Sequence, residues 1–206
     1  MSRKKQSSVI RFRSSILQSV FRLLFSVLLL LAAVWSVQVM TSAWICARGD
    51  QLLQKLNFTT AERYYNVAER IDPQNWLAQM GFGQVYYHNR YYELDPVLKR
   101  EWALKEQAAY AAAYRINSKK EEVIYGIGRA ELFLGNRDQG LDYLRQAANY
   151  KRFNDFYWRK LGIELRKAGL YEESLSAFEY AQKLDGSNKT VKRNIQWLKK
   201  THPEGR

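Results

Sequence analysis

From Leu23 to Ile45 the chain runs for 23 residues without a charge, "LLFSVLLLLAAVWSVQVMTSAWI". No later stretch repeats this. Beyond it, β-branched residues never fall into the alternating runs of half-buried strands, and apolar positions follow the helical period. The clearest case is "KTVKRNIQWLKK", where Val191, Ile195 and Leu198 stand at i, i+4 and i+7 with Lys and Arg on the other face. Only 3 prolines and 11 glycines interrupt the chain, which leaves room for long helices. The pattern predicts an all-α protein in which one apolar helix precedes a domain of amphipathic helices.

The uncharged run is long enough to cross a membrane. As a helix it extends about 35 Å, against a hydrocarbon layer of roughly 30 Å. Charge around it is lopsided. Arg3, Lys4, Lys5, Arg11, Arg13 and Arg22 give residues 1–22 a charge of +6 out of the net +13, and the first acid is Asp50. The following flank, with Arg48, Asp50 and Lys55, is nearly balanced. The positive-inside bias then predicts a basic cytoplasmic N-terminus at 1–22 and a single-pass signal anchor at 23–45, with Trp44 at the interface. The bulk of the chain is expected on the far side, in the periplasm of a bacterial inner membrane. A cleaved signal peptide, with "TSA" at 41–43 as its cleavage site, is the competing reading; the apolar stretch exceeds the usual 7–15 residues. A mitochondrial presequence fits the Arg- and Ser-rich start, but not its immediate run into a spanning segment.

The domain itself is periodic. Gly49, Gly83, Gly128 and Gly162 are separated by 34, 45 and 34 residues. Ala68, Ala113, Ala147 and Ala181 follow at 45, 34 and 34, and so do Tyr65, Tyr110, Leu144 and Phe178. The period is 34, and one repeat is longer by 11 residues that must lie between Gly83 and Tyr110. The stretch "RYYELDPVLKR", 90–100, is the expected place, with Pro96 interrupting a helix.

A 34-residue period with this pattern resembles the tetratricopeptide repeat, a helix–turn–helix unit. Trp158, Leu161, Gly162, Ser174 for the usual alanine, and Phe178 carry the resemblance in the last unit; Ala61, Tyr65 and Pro73 carry it in the first. Asp185-Gly186 stands where the last unit would close on proline, and Arg48 where the first would have leucine. The resemblance implies a solenoid over 42–188, with units 42–75, 76–120, 121–154 and 155–188, and a capping helix and tail at 189–206. Each unit leaves an apolar face that its neighbour must cover. The recurrent glycine gives two antiparallel helices room to approach, and the large residue of the third ladder fills what is left.

Catalytic patterns are absent. Two histidines, His88 and His202, make no HExxH site, and the one cysteine, Cys46, makes no multi-cysteine metal site or internal disulfide. "GFGQVY" and "GIGRAE" hold GxG without a third glycine or a preceding strand, which makes them packing glycines. Glu121-Glu122 and Glu172-Glu173 are adjacent pairs at expected helix starts, where acid suits the dipole. "RGD" at 48–50 lies at the expected membrane exit. Asn57-Phe58-Thr59 and Asn188-Lys189-Thr190 spell glycosylation sequons. No enzyme, cofactor, metal or small-molecule substrate is expected.

What remains is a surface. In the repeat family, the first helices of the units line a concave groove for partner segments. The matching positions are Met80, Gln84, Tyr87 and His88, then Tyr125, Arg129, Leu132 and Phe133, then Arg159, Ile163, Arg166 and Lys167. Four are cations and none is acidic, so the expected partner is an extended, acidic protein segment. Cys46 and Asp50 occupy first-repeat positions where the family's chaperone-tail clamp has Lys and Asn, which argues against a chaperone co-factor. The expected role is a membrane-anchored interaction scaffold or accessory subunit of an envelope machine for secretion, pilus, polysaccharide or cytochrome assembly. The alternatives are a nucleic-acid-binding helical-repeat protein, suggested by a pI near 9.8, and an organellar import receptor, whose basic presequences a basic groove would repel. With part of the positive charge beside the membrane, nucleic acid is not expected as a partner.

Overall fold

The computed structural model describes residues 2–202, with side chains from Val20 onward; the predicted tail at 203–206 lies outside them. Within these residues the chain is nine helices and no strand: α1 (Ser2–Gln54), α2 (Phe58–Ile71), α3 (Trp76–Tyr92), α4 (Pro96–Ile116), α5 (Glu121–Leu134), α6 (Arg137–Tyr150), α7 (Asp155–Lys167), α8 (Tyr171–Leu184) and α9 (Lys189–Thr201). Contacts are nearly all between consecutive helices, as in a solenoid. The end of α1 pairs with α2, α3 with α4, α5 with α6 and α7 with α8, while α9 covers the last face. Val191, Ile195 and Leu198 of α9 are buried against Leu175, Phe178 and Ala181.

Helix starts follow side-chain chemistry. Asn57, Asn75, Asn154 and Asn188 each accept a backbone N–H from the first turn of the helix they precede. Two of these are the asparagines of the sequons, so Asn57 and Asn188 have a structural use as caps. Helix ends recur as well. Gly135 and Gly169 close α5 and α7 with φ of +95° and +74°, inside paired 6→1 and 5→2 backbone bonds. The same bonds close α1, but there the left-handed residue is Leu56, at φ +59°.

The glycine ladder faces the aromatic ladder. A methyl group on Gly49 would lie 2.7 Å from the Tyr65 ring, and one on Gly83 would lie 2.7 Å from the Tyr110 ring. The other glycine of each GxG meets the ring of the preceding unit: Gly81 faces Tyr65, and Gly126 faces Tyr110 at 2.5 Å. Each of these two rings is therefore held between glycines of two successive units. Gly162 against Phe178 is looser, at 3.1 Å. The Tyr65 hydroxyl donates to Asp50 at 2.6 Å, so the aspartate of "RGD" anchors that ring.

The longer unit is longer in its helices. Relative to α5 and α6, α3 gains three residues, the turn one and α4 seven. Pro96 opens α4 behind an Asp95 cap. The extended tip exposes Tyr91, Tyr92, Leu94 and Val97.

α1 joins the apolar segment to the solenoid without a break. Residues 20–38 are exposed, with a mean hydropathy of 2.3 over the most apolar window. From Gln38 onward the helix packs into the domain. The Gln38 amide donates to the Ile71 carbonyl, and fully buried Ser42 donates to the Ala68 carbonyl at 2.8 Å. Asn75 donates to Ser42 at 2.6 Å and also meets the Sγ of buried Cys46. Burial, first, and then Asp50 push the Cys46 thiol up to about 12, so it stays protonated.

The tighter contact makes Gly126→Ala cost about 1–3 kcal/mol by overpacking. At Gly162 the helix propensity of alanine, worth about 1 kcal/mol, offsets the milder strain. Denaturation monitored by circular dichroism should rank Gly126→Ala well below Gly162→Ala; equal losses would refute the ring-between-glycines account. Leu56→Gly should raise stability by up to about 1 kcal/mol, because the exposed leucine gives up a strained left-handed backbone and little packing.

Candidate functional site

Three first helices, α3, α5 and α7, stand side by side and line a cleft of about 440 Å³. Seven of the positions expected from the sequence lie along it: Tyr87, Tyr125, Arg129, Leu132, Phe133, Ile163 and Lys167. Arg90, Tyr91, Leu144, Lys160 and Glu164 join them.

The other expected positions are used elsewhere. Met80 packs with Trp76 against the core around Tyr110 and Val123. Gln84 is half-buried. His88 stacks on Phe58 at 5.0 Å, and burial, followed by the charge of Arg129, holds it below the usual imidazole range. Arg159 pairs with Asp155 at 3.7 Å, and Arg166 lies 5.2 Å from the Trp197 ring of α9.

The centre of the site is a carboxylate that the first-helix positions do not contain. Glu106, on α4, is wholly buried and accepts from two arginines. Arg90 Nε donates at 2.9 Å; Arg129 donates through Nε at 3.0 Å and Nη2 at 2.7 Å. Aromatic faces complete the arrangement. The Arg129 guanidinium lies 3.4 Å from the Tyr87 ring centre, and that of Arg90 lies 4.2 Å from the Phe133 ring centre. None of the twelve expected positions is acidic, yet two carboxylates outside them join the site. Glu106 enters from the second-helix layer, behind the groove wall, and Glu164 stands on α7 and accepts from Lys167 at 2.7 Å.

Glu106 does have a sequence signature. It occupies the position of Ala61, Gly140 and Ser174 in the other units, at separations of 45, 34 and 34. All four positions are buried. Three carry small residues, as close helix packing requires; Ser174 still donates to the Gly162 carbonyl at 2.7 Å. A glutamate in that ladder marks the one unit with a charged centre.

The electrostatics of the cleft follow from this. Arg90 and Arg129 share one carboxylate and retain one unit of positive charge between them. Lys160 has no carboxylate partner among the described residues, and burial, then Arg159 and Arg129, holds it below the usual lysine range. The cleft thus combines an aromatic floor, two arginines fixed in place and an uncompensated lysine at its edge. Such a surface presents cations already held in place, without first having to order its own side chains.

No family model matches the sequence, and no curated protein matches it. Solved structures do. TTC0263, a thermophilic TPR protein in Thermus thermophilus, superposes with a TM-score of 0.66 at 14% identity, over 75% of this chain and 79% of that one. MamA gives 0.62 at 17% identity, over 74% and 82%. YrrB, described as a TPR protein with an unusual peptide-binding site, gives 0.61 at 19% identity, over 79% and 77%. At these identities the likeness establishes the fold alone: the chain has the fold of a tetratricopeptide-repeat solenoid.

Glu106→Gln removes the shared acceptor and leaves two arginines facing each other. Breaking a buried pair in this way costs about 3–5 kcal/mol. Chemical denaturation should show that loss. Glu164→Gln, with its partner Lys167 exposed, should change stability by less than about 1 kcal/mol.

Proposed function

We propose that this protein is a membrane-anchored scaffold or accessory subunit of a cell-envelope assembly, whose groove holds an extended acidic segment of a partner protein. A repeat solenoid is in general a platform for protein–protein interaction, and its concave face supplies an elongated contact. The anchor reading draws on the apolar run, which is exposed in the structure. The orientation, with the repeats outside the cytoplasm, draws on the basic N-flank. A phosphatase fused after residue 206 is then active in intact cells.

One observation carries the choice of an acidic ligand. The cleft holds Arg90, Arg129, Lys160 and Lys167 against Glu106 and Glu164, an excess of two positive charges. Two of the cations are stacked on aromatic rings and cannot turn away into solvent. An extended segment carrying Asp or Glu with an apolar neighbour satisfies both the charge and the exposed Phe133 and Tyr91.

Selection of random peptides on the purified full-length protein tests this. The selected peptides should be enriched in Asp and Glu, and their affinity should fall with salt. Lys160→Glu should weaken them at least tenfold, equivalent to about 1.4 kcal/mol. Lys192→Glu on α9 should leave them unchanged. Peptides lost with the α9 variant but indifferent to Lys160→Glu would move the site off the groove.

A further inference from the structure

In this solenoid the first helices run one way and the second helices return. All turns from a second helix to the next first helix therefore share one edge. That edge is the one from which α1 departs toward its N-terminus, because the Ile71 end of α2 and the turn at 72–75 lie beside Gln38 and Ser42. The opposite turns, at Leu56, 93–95, Gly135 and Gly169, lie on the far edge.

The apolar segment leaves little distance between this edge and a bilayer. From Leu23 to Val37, before the first contact with the domain, there are 15 residues, or roughly 22 Å of helix. Extending back past Arg22 to Val20 gives about 27 Å. A hydrocarbon layer of roughly 30 Å uses all of either length. The headgroup region then begins at the level of Gln38 to Trp44, alongside the turn at 72–75, and Trp44 is exposed there.

The composition of the edge matches that location. Its two central turns are "NSKK" and "KRFN", at 117–120 and 151–154. With Arg115 before the first, they bring Arg115, Lys119, Lys120, Lys151 and Arg152 together with Phe153, which is 74% exposed. Tyr150 beside it is exposed too. Three carboxylates neighbour them: Glu121, which accepts from Lys151 at 3.0 Å, exposed Glu122, and Asp155, which follows the second turn and is offset by Arg159 at 3.7 Å. The patch keeps an excess of three positive charges. The outer turns carry Asp72 and Asp185, whose side chains accept the backbone N–H groups of Gln74 and Ser187 and so serve the turns themselves. The far edge carries Glu93 and Asp95 at its second turn and single cations, Lys55, Arg137 and Lys167, beside the others, with Lys199 and Lys200 ending α9 next to Glu172 and Glu173.

We propose that the turns at 117–120 and 151–154 form a bilayer-contacting edge, which rests Phe153 at the headgroup level and binds anionic lipid through the Lys and Arg around it. The contact fixes the solenoid against the membrane and leaves the extended tip at 91–97 facing away from it. The idea rests on the anchor reading. Cations beside a surface of anionic lipid are attracted within a Debye length, and aromatic side chains settle at the interface.

Spin labels at single cysteines in the full-length protein test it, with Cys46 replaced by Ala. The protein is reconstituted into vesicles of phosphatidylcholine, alone or mixed with phosphatidylglycerol. Accessibility to oxygen and to a water-soluble nickel complex then reports depth. A label at Val27 reads the anchor, one at Phe153 the edge and one at Leu94 the far tip. The expected result is Val27 in hydrocarbon in both lipids, Leu94 in water in both, and Phe153 shielded from nickel in the anionic vesicles. That shielding should be lost in high salt and in Lys119→Glu/Arg152→Glu. Phe153 in water beside anionic lipid, with Val27 in hydrocarbon, would overturn the edge and leave the anchor standing. Val27 in water would overturn the anchor and the edge with it.

Discussion

Every unit of this solenoid depends on how closely its first helix can approach the large side chain of its second. Where that side chain is Tyr65 or Tyr110, glycines take both flanking places, one from its own unit and one from the next. A single ring then closes a helix pair and registers the following unit upon it. Close packing of this kind removes more apolar surface per residue than a wider crossing filled with flexible chains would. It also gives the two GxG stretches, 45 residues apart, a packing role. Phe178 needs less room at Gly162, and beyond it the chain ends the series by laying α9 over the open face.

The second unit departs from this plan at two connected places. Its helices are longer, and a glutamate sits where the other units keep a small residue. Arg90 lies within the lengthened end of α3 and reaches Glu106. Arg129 arrives from the next unit and completes the cluster. A buried ion cluster contributes little net stability compared with apolar packing, because desolvation opposes the Coulombic gain. Its effect is to fix two guanidinium groups in position, with Tyr87 and Phe133 stacked on them. The groove is thereby built at the joint between the second and third units.

α1 also has a double duty. Its last residues are the first helix of the solenoid, and its middle is the apolar run. There is no linker between them, so the domain cannot rotate freely about the apolar segment as it would on a Gly/Ser tether. Buried Ser42 and Asn75 tie the junction by hydrogen bonds that satisfy otherwise orphaned polar groups.

The helical class, the 34-residue period, the unit that holds the extra residues, the glycine and aromatic ladders, the closing helix and the apolar run were all legible in the sequence; that the extra residues lengthen α3 and α4 on either side of Pro96 was not. The legible features are local or repeated patterns, and a repeat writes the same packing requirement several times. Leu56 in a left-handed turn was not legible, since the tertiary packing of α1 on α2 overrides a local preference. The groove was legible in part, because helical spacing identifies a face but not what reaches it from behind. Glu106 meets its arginines across 16 and 23 residues of chain, from a different helix layer. The packing of α4 against α3 and α5 gives Arg129 a buried partner and leaves Lys160 without one among the described residues. The structure sets Arg159 beside Asp155 and Arg166 beside Trp197, neither of them in the cleft lining. Spacing along one helix carries no information about a neighbour's side chain, and that neighbour sets both the charge and the shape of the site.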